Sequence, residues 1–532
     1  MYWADELAER VSGPQVVNDS KTPSGTVHVG SLRGPVVHDV IARALRARGV
    51  PVEFRYGVED MDAMDAQALL TPDAVDRYMG VPLSRVPAPE GSTAKNYARH
   101  FVETLFFPTF ARLGIRPDFY WLSEIYPTGK MDSFMRIALE KAQVIRDLYV
   151  RVSNVERPAG WLPVQVICES CGRVGTTLAD DWDGATVHYR CLPDYVAWAK
   201  GCGHEGRIAP FGGAAKMPFN VEWAAKWSLM GITIEGCGKD LSTKGGSRDR
   251  SEAVSREVFD REPPINVMYE FLNVGGKKMS TSKGRGAAAH AVAASIPPSA
   301  LRFLFLRPRP NQAIDFDPSG TDAIPRLLDE YDRISTATAG GQVRGELPAD
   351  HERMHFYSQI DDADAAAAKG VAAAWRPAFG QLALLLQLPG VDARARAAAE
   401  KGSPLSPGES QELDERIDAV RHWLADYAPD EARIAVRDEL PTDAVAALSP
   451  EERAWLLTLA DAADAARPSG GEAWQSLIFT AAKEGGLPPL RAFTSLYAAF
   501  LGRTNGPRAG WLLAALDHAL IVSRLRAAGA VR

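Results

Sequence analysis

Apolar residues recur along the first 57 positions in two rhythms. Pro14 to Val17 is a short apolar run. Val36, Val37, Val40, Ile41 and Leu45 then repeat at helical spacing until Gly49, and Pro51 to Tyr56 alternates as a strand does. Together they predict a βαβ unit with a right-handed crossover. Farther on, Phe101, Leu105, Phe106 and Phe110 form one face of a helix over Tyr97 to Leu113. Phe119 to Leu122 reads as a short strand and Met131 to Leu148 as another helix. Trp223 to Leu229 reads as an amphipathic helix ending near Gly231, with Ile232 to Ile234 as a strand after it. From about Ile324 onward, runs such as Ala363 to Leu388 and Ser410 to Tyr427 keep a helical period without strand candidates. Turns at Pro389-Gly390, Ser403 to Pro407 and Pro468 to Gly471 divide them, with no fixed repeat that would make a solenoid.

A chain of 532 residues is too long for one core, and domain-size statistics give about three or four units. With 46% hydrophobic and 24% charged residues, the composition is that of a globular protein. No apolar run reaches the ~18 residues of a bilayer span, and the N-terminus lacks a basic-then-apolar leader, so a cytoplasmic protein without a membrane partner is expected. Five cysteines, four of them between Cys168 and Cys202, argue against a disulfide scaffold and for a metal knuckle. Cys168 and Cys171 have knuckle spacing, and Cys191 and Cys202 complete one tetrahedral Zn²⁺ site, with His204 as the substitute ligand. Four protein ligands leave no open position, so this zinc is structural. Buried, unligated cysteines are the alternative.

Two polar turns carry the candidate chemistry. Thr22-Pro23-Ser24-Gly25-Thr26-Val27-His28-Val29-Gly30-Ser31-Leu32-Arg33-Gly34 leaves a strand and opens a helix, whose N-terminus offers unpaired N–H groups to phosphate. Gly25 and Gly30 allow close backbone approach, and His28 adds a donor. The second turn, Gly275 to Gly284, holds Lys277, Lys278, Lys283 and the hydroxyls of Ser280, Thr281 and Ser282. Its glycine and lysine spacing is not that of a P-loop. Glu59, Asp60, Asp62 and Asp65 follow the second strand, placed either to meet an ammonium group or to serve as an acidic helix start.

His28-Val29-Gly30-Ser31 followed, about 250 residues later, by Lys278-Met279-Ser280-Thr281-Ser282 resembles the two ATP-binding motifs of class I aminoacyl-tRNA synthetases. Between them, Glu235-Gly236-Cys237-Gly238-Lys239-Asp240 resembles the third nucleotide-contacting segment of the class I lysyl-tRNA synthetases. The resemblance implies an α/β Rossmann-like parallel-sheet catalytic domain with a zinc-knuckle insertion, followed by an all-α C-terminal domain. By that resemblance, His28, Lys278 and Lys283 are catalytic. Pro23, Gly25, Gly30, Ser31, Gly238, Lys239, Asp240, Lys277, Met279, Ser280, Thr281 and Ser282 bind ATP. Ser24, Thr26, Trp223, Trp227 and Tyr269 line the amino-acid pocket. Leu241 departs from the family, which has a histidine after the aspartate, and Thr281 and Ser31 depart mildly.

The implied segments are 1–160 and 213–300 for the two catalytic halves, 161–212 for the zinc-binding insertion, 301–345 for a connecting stem and 346–532 for an anticodon-binding domain. The implied partners are ATP with Mg²⁺, L-lysine and tRNA of the lysine type, joined through a lysyl-adenylate. A class I synthetase for another amino acid, especially glutamate or cysteine, and a repurposed paralogue remain as alternatives. The net charge of −7 requires any tRNA face to be local, with Arg302, Arg307 and Arg309, or Arg503 and Arg508, as candidates. Trp511 is placed either to stack a base or to fill the core.

Overall fold

A parallel sheet forms because the strand β1 (Gln15–Lys21), the helix α1 (Arg33–Ala47) and the strand β2 (Val52–Val58) follow one another with a short crossover. This computed structural model describes residues 1–25, 28–65, 70–275, 277–278, 289–361, 375–388 and 391–531. Strand β3 (Asp118–Trp121) pairs with β2 on its far side. Across β1, parallel bridges join Val17 to Ile234, Ile234 to Ile265 and Gly238 to Tyr269. In space the order is therefore 118–121, 52–58, 15–21, 234–238, 265–269. Growth of the sheet reverses at β1, and a doubly wound sheet holds its ligand in the crevice at such a reversal.

The expected strand at Ile232 to Ile234 is present only as isolated bridges. Thr233 accounts for the interruption: its hydroxyl accepts the Val16 N–H at 3.0 Å, a donor the ladder would otherwise use. Helix α2 (Phe219–Met230) is longer than expected and is not amphipathic, because every residue from Asn220 to Trp227 is buried. The expected Tyr97 to Leu113 helix has a π-turn at Val102–Phe106 ahead of Pro108, which cannot donate to the helix ladder.

The chain divides into two compact units, one of Met1–Ala293, Pro298–Phe316 and Arg344–Gly370, the other of Ala294–Pro297, Asp317–Val343 and Val371–Arg532. These limits differ from the segments expected from sequence, since the helix His351–Ser358 sits in the first unit. There the fully buried Arg302 donates to Leu113 O at 2.9 Å, to Tyr357 O at 2.9 Å and to Asp39 Oδ2 at 2.7 Å. Arg302 is thus an internal strut and belongs to no basic surface.

An insertion in the first unit is an antiparallel meander of β4 (Thr177–Trp182), β5 (Val187–Cys191) and β6 (Glu205–Ile208). Gln165–Val166 paired with Ala215–Lys216 closes its base. Later in the chain, β7 (Leu272–Val274) pairs antiparallel with β8 (Lys277–Lys278) and parallel with β9 (Ile314–Asp315).

The second unit is helical throughout its described residues. Helices Pro407–Asp426 and Pro450–Ala466 each start with a serine and a glutamate in reciprocal capping boxes, with proline at the first position. Gly471 and Gly510 let two helices meet through backbone, since a Cβ on Gly510 would lie 2.4 Å from Gly471 O. Arg503 is committed to backbone carbonyls of Glu431 and Arg433. Trp511 is half-buried, with Arg508 5.3 Å above its ring, and lines a cleft of about 620 Å³ with Arg396 and Gln381. Among the described residues no helix is long and apolar enough to cross a membrane.

Candidate active site

At the carboxyl end of β1 the chain turns tightly. Ser24 N–H donates to Thr22 O at 2.8 Å, Pro23 is buried, and Gly25 has φ +73°, a left-handed conformation suited to glycine. His28, half-buried, heads the single turn Val29–Leu32 that runs into α1, and its carbonyl accepts the Ser31 N–H at 2.8 Å. A Cβ on Gly30 would stand 3.1 Å from His28 Nδ1 and 3.5 Å from Leu272 Cβ. Leu272 opens β7, the partner of Lys277–Lys278. The histidine-bearing turn therefore lies against the hairpin whose backbone carries the two lysines. Lys277 and Lys278 are described in backbone alone; Thr26, Met279, Ser280, Thr281, Ser282 and Lys283 lie outside the described residues.

The other wall is the 235–240 segment. Gly238 is buried and bridged to Tyr269, and the Lys239 N–H donates to Tyr269 O at 2.9 Å. The exposed Lys239 pairs with Glu270 at 2.6 Å. Asp240 is exposed, and its Oδ1 accepts the Leu241 N–H at 3.2 Å. Leu241 packs on the apolar core, so the position that is histidine in the resembled enzymes contributes packing here. Tyr269, half-buried, reaches toward the start of α1, its hydroxyl 2.7 Å from where a Gly34 Cβ would be.

Two of the residues expected in the amino-acid pocket, Trp223 and Trp227, are buried in α2. Trp227 is fully buried in α2 and donates to the Glu235 carboxylate, while Trp223 packs beside it under the Arg248 guanidinium. Neither lines the cleft of about 580 Å³ that Thr22, Ser24, Asp62, Asp65, Lys216 and Trp198 help to form. The difference follows from α2 being covered on all sides.

A buried layer of charge supports that cleft. Lys226 pairs with Glu59; Lys216 pairs with Asp62 and, at 3.1 Å, with Glu222. Thr22 Oγ1 donates to Asp62 at 2.6 Å, and Tyr126 donates to Glu222. Burial works against the charge on both lysines, but Asp62, Glu222 and Glu59 outweigh it and hold the ammonium groups above their ordinary range. Burial pushes Glu222 up to about 7 although Lys216 opposes it. Glu222, Lys226 and Lys216 were not singled out from sequence. The one signal for Glu222 and Lys226 is charge at four-residue spacing inside a run of tryptophan and alanine; Lys216 carries none.

The four cysteines do converge. Cys168 Sγ lies 3.7 Å from Cys202 Sγ, Cys171 Sγ lies 3.7 Å from Cys191 Sγ, and all four fall within 4.8 Å of one another. A zinc tetrahedron with bonds of about 2.3 Å has edges of about 3.8 Å, so the thiols fit this ion. The ten residues between Cys191 and Cys202 are bridged by pairing, since Cys191 N–H donates to His204 O and Gly203 N–H to Cys191 O, both at 2.8 Å. His204 thus takes part through its backbone, and its ring is not in the cluster.

A doubly wound sheet, a glycine-rich turn into a helix at its switch point and an apposed lysine hairpin define a nucleotide-binding α/β protein of synthetase type. The family described as tRNA synthetases class I (K) matches residues 1–361, and the chain belongs to it. It is 32% identical to a lysine–tRNA ligase of Methanosarcina barkeri, covering 99% of this chain and 98% of the relative. Enzymes of the same description from Thermoplasma acidophilum (30%, covering 99% and 98%) and Archaeoglobus fulgidus (29%, covering 99% and 100%) are also similar to it.

Proposed function

We propose that the protein ligates L-lysine to tRNA of the lysine type through a lysyl-adenylate. The observation that carries this reading is the packing of Gly30 on Leu272, which sets the His28 turn against the Lys277–Lys278 hairpin. Full-length similarity to lysine–tRNA ligases supports the choice of amino acid.

In the first step the lysine carboxylate attacks the α-phosphorus of ATP and pyrophosphate leaves; in the second, a 3′-terminal ribose hydroxyl of tRNA attacks the lysyl carbonyl, loses its proton and displaces AMP. Positioning and neutralisation of charge suffice, and no side chain acts as nucleophile. His28 and the amide groups at the start of α1 neutralise the α-phosphate. Lys278 and Lys283, with Lys277 and the hydroxyls of Ser280, Thr281 and Ser282, meet the departing pyrophosphate. Gly238 admits the adenosine, and the exposed Asp240 carboxylate accepts its ribose hydroxyls. Mg²⁺ accompanies the nucleotide phosphates. Asp62 is paired with Lys216, and Asp65 on the adjoining cleft is the carboxylate that meets the lysine ammonium. The four cysteines hold a structural Zn²⁺, and cysteines used as metal ligands suit a cytosolic setting. The helical unit grips the anticodon, with Trp511 as a stacking platform.

ATP–pyrophosphate exchange with each amino acid, followed by charging of total tRNA with labelled lysine, tests the reading. Lysine-dependent exchange and charging are expected. Exchange with another amino acid alone overturns the choice of substrate, and exchange without charging assigns the adenylate to a different acceptor.

A further inference from the structure

His38 is fully buried on α1, and both of its ring nitrogens are occupied. Nδ1 lies 2.8 Å from Gly34 O, and Nε2 lies 2.8 Å from the Gly236 nitrogen. An amide nitrogen can only donate, so Nε2 is an acceptor, and a carbonyl can only accept, so Nδ1 bears the proton. The two partners fix one tautomer, and the Asp19 carboxylate, 3.6 Å from Nδ1, lies on the protonated side of the ring. They also lie on opposite walls of the crevice: Gly34 is in the first turn of α1, and Gly236 is two residues before the Gly238 that bridges Tyr269. Tyr269 meets the imidazole edge to face, with ring centroids 6.4 Å apart. Gly236 leaves no room for a side chain between these neighbours, since a Cβ there would stand 2.2 Å from Val267 O and 3.4 Å from His38 Nε2.

The geometry points to His38 as a positioning residue for the nucleotide: an imidazole strut that sets the Gly236–Asp240 segment at a fixed distance from the amino end of α1. It reaches ATP through Gly236 and Gly238 and touches no substrate. This assignment rests on the proposed ATP-dependent ligation, which the wild-type protein tests separately through lysine-dependent exchange.

Two substitutions separate the nitrogens. A glutamine amide oxygen occupies the place of Nε2, so His38→Gln keeps an acceptor for the Gly236 N–H. An asparagine amide occupies the place of Nδ1, so His38→Asn keeps the bond to Gly34 and strands that N–H. Exchange kinetics on the full chain are expected to give H38N a KM for ATP raised about tenfold, the effect of about 1.4 kcal/mol on an unpaired buried donor. The KM for lysine should change alike in the two variants, and H38N, with its stranded donor, should melt below H38Q. H38Q should stay within about twofold of wild type for ATP. If H38N does not fold, H38Q decides alone. A folded H38Q with KM for ATP raised tenfold, or equal effects of both variants on the two substrates, overturns the assignment. Absence of lysine-dependent exchange in the wild type instead overturns the functional reading.

Discussion

Removing one ligand from the cysteine cluster is the perturbation with the largest expected consequence. Cys168 and Cys191 are buried, and the four sulfur atoms lie within 4.8 Å of one another, with two separations of 3.7 Å close to a zinc tetrahedron's edge. Two further donors brace Cys191: Thr176 Oγ1 at 3.2 Å and the Cys202 N–H at 3.3 Å, the kind of outer contact that orients a thiolate. Isolated zinc modules owe on the order of 10 kcal/mol to the metal. Here Val174, Ala179, Val187 and Tyr189 of the insertion also belong to a larger apolar cluster, so loss of zinc should open the insertion locally and leave the parallel sheet intact. Elemental analysis should find one zinc per chain in the wild type and in His204→Ala, and almost none in Cys168→Ser or Cys202→Ser. Hydrogen–deuterium exchange should show residues 168–204 losing protection on chelation, with β1 and β2 unchanged. Full zinc in Cys168→Ser, or loss of zinc in His204→Ala, would refute the ligand set. Unchanged exchange on chelation would refute the structural role.

Three further outcomes follow from buried groups. Burial raises Asp60 to about 6 although Ser123 donates to it, so between about pH 4 and 6 the folded chain holds a proton the unfolded chain has lost, and stability falls as pH rises through that window. Asp60→Asn removes this dependence, and denaturant titration should show it gaining up to about 3 kcal/mol on wild type across the window; a pH-independent difference would count against it. Lys226→Met strands the buried Glu59 carboxylate and should cost about 3–5 kcal/mol, most of it restored by adding Glu59→Gln, whereas additive losses would show the pair is not coupled. A methyl on Gly34 would stand 2.7 Å from the Tyr269 hydroxyl, so Gly34→Ala should destabilise by about 1–3 kcal/mol and Tyr269→Phe should relieve it, both read from melting temperature; no relief places the strain elsewhere.

The parts of this fold visible in the sequence are those whose determinants are local. β1, α1 and β2 each carry their own periodicity, and the His28 turn, the lysine loop and the first cysteine pair are contiguous strings. The rest depends on partners hundreds of residues apart. The 234 segment reads as a strand, yet Thr233 diverts a ladder donor to its own side chain, which only the approach of Val16 reveals. Cys191 and Cys202 look too far apart for one knuckle until backbone pairing with Gly203 and His204 folds the intervening residues out. Glu222 and Lys226 offer the sharpest case. Four residues apart on one helix, they have the spacing of a solvated pair, whose strength in water is a few tenths of a kcal/mol. In α2 the stronger partner of each lies elsewhere. Lys226 pairs with Glu59 after β2, and Glu222 pairs with Lys216 at the base of the insertion, both away from solvent. Spacing states which charges are able to meet, but exclusion of water decides which must, and here it ties α2, the acidic turn after β2 and the insertion into the floor of one cleft.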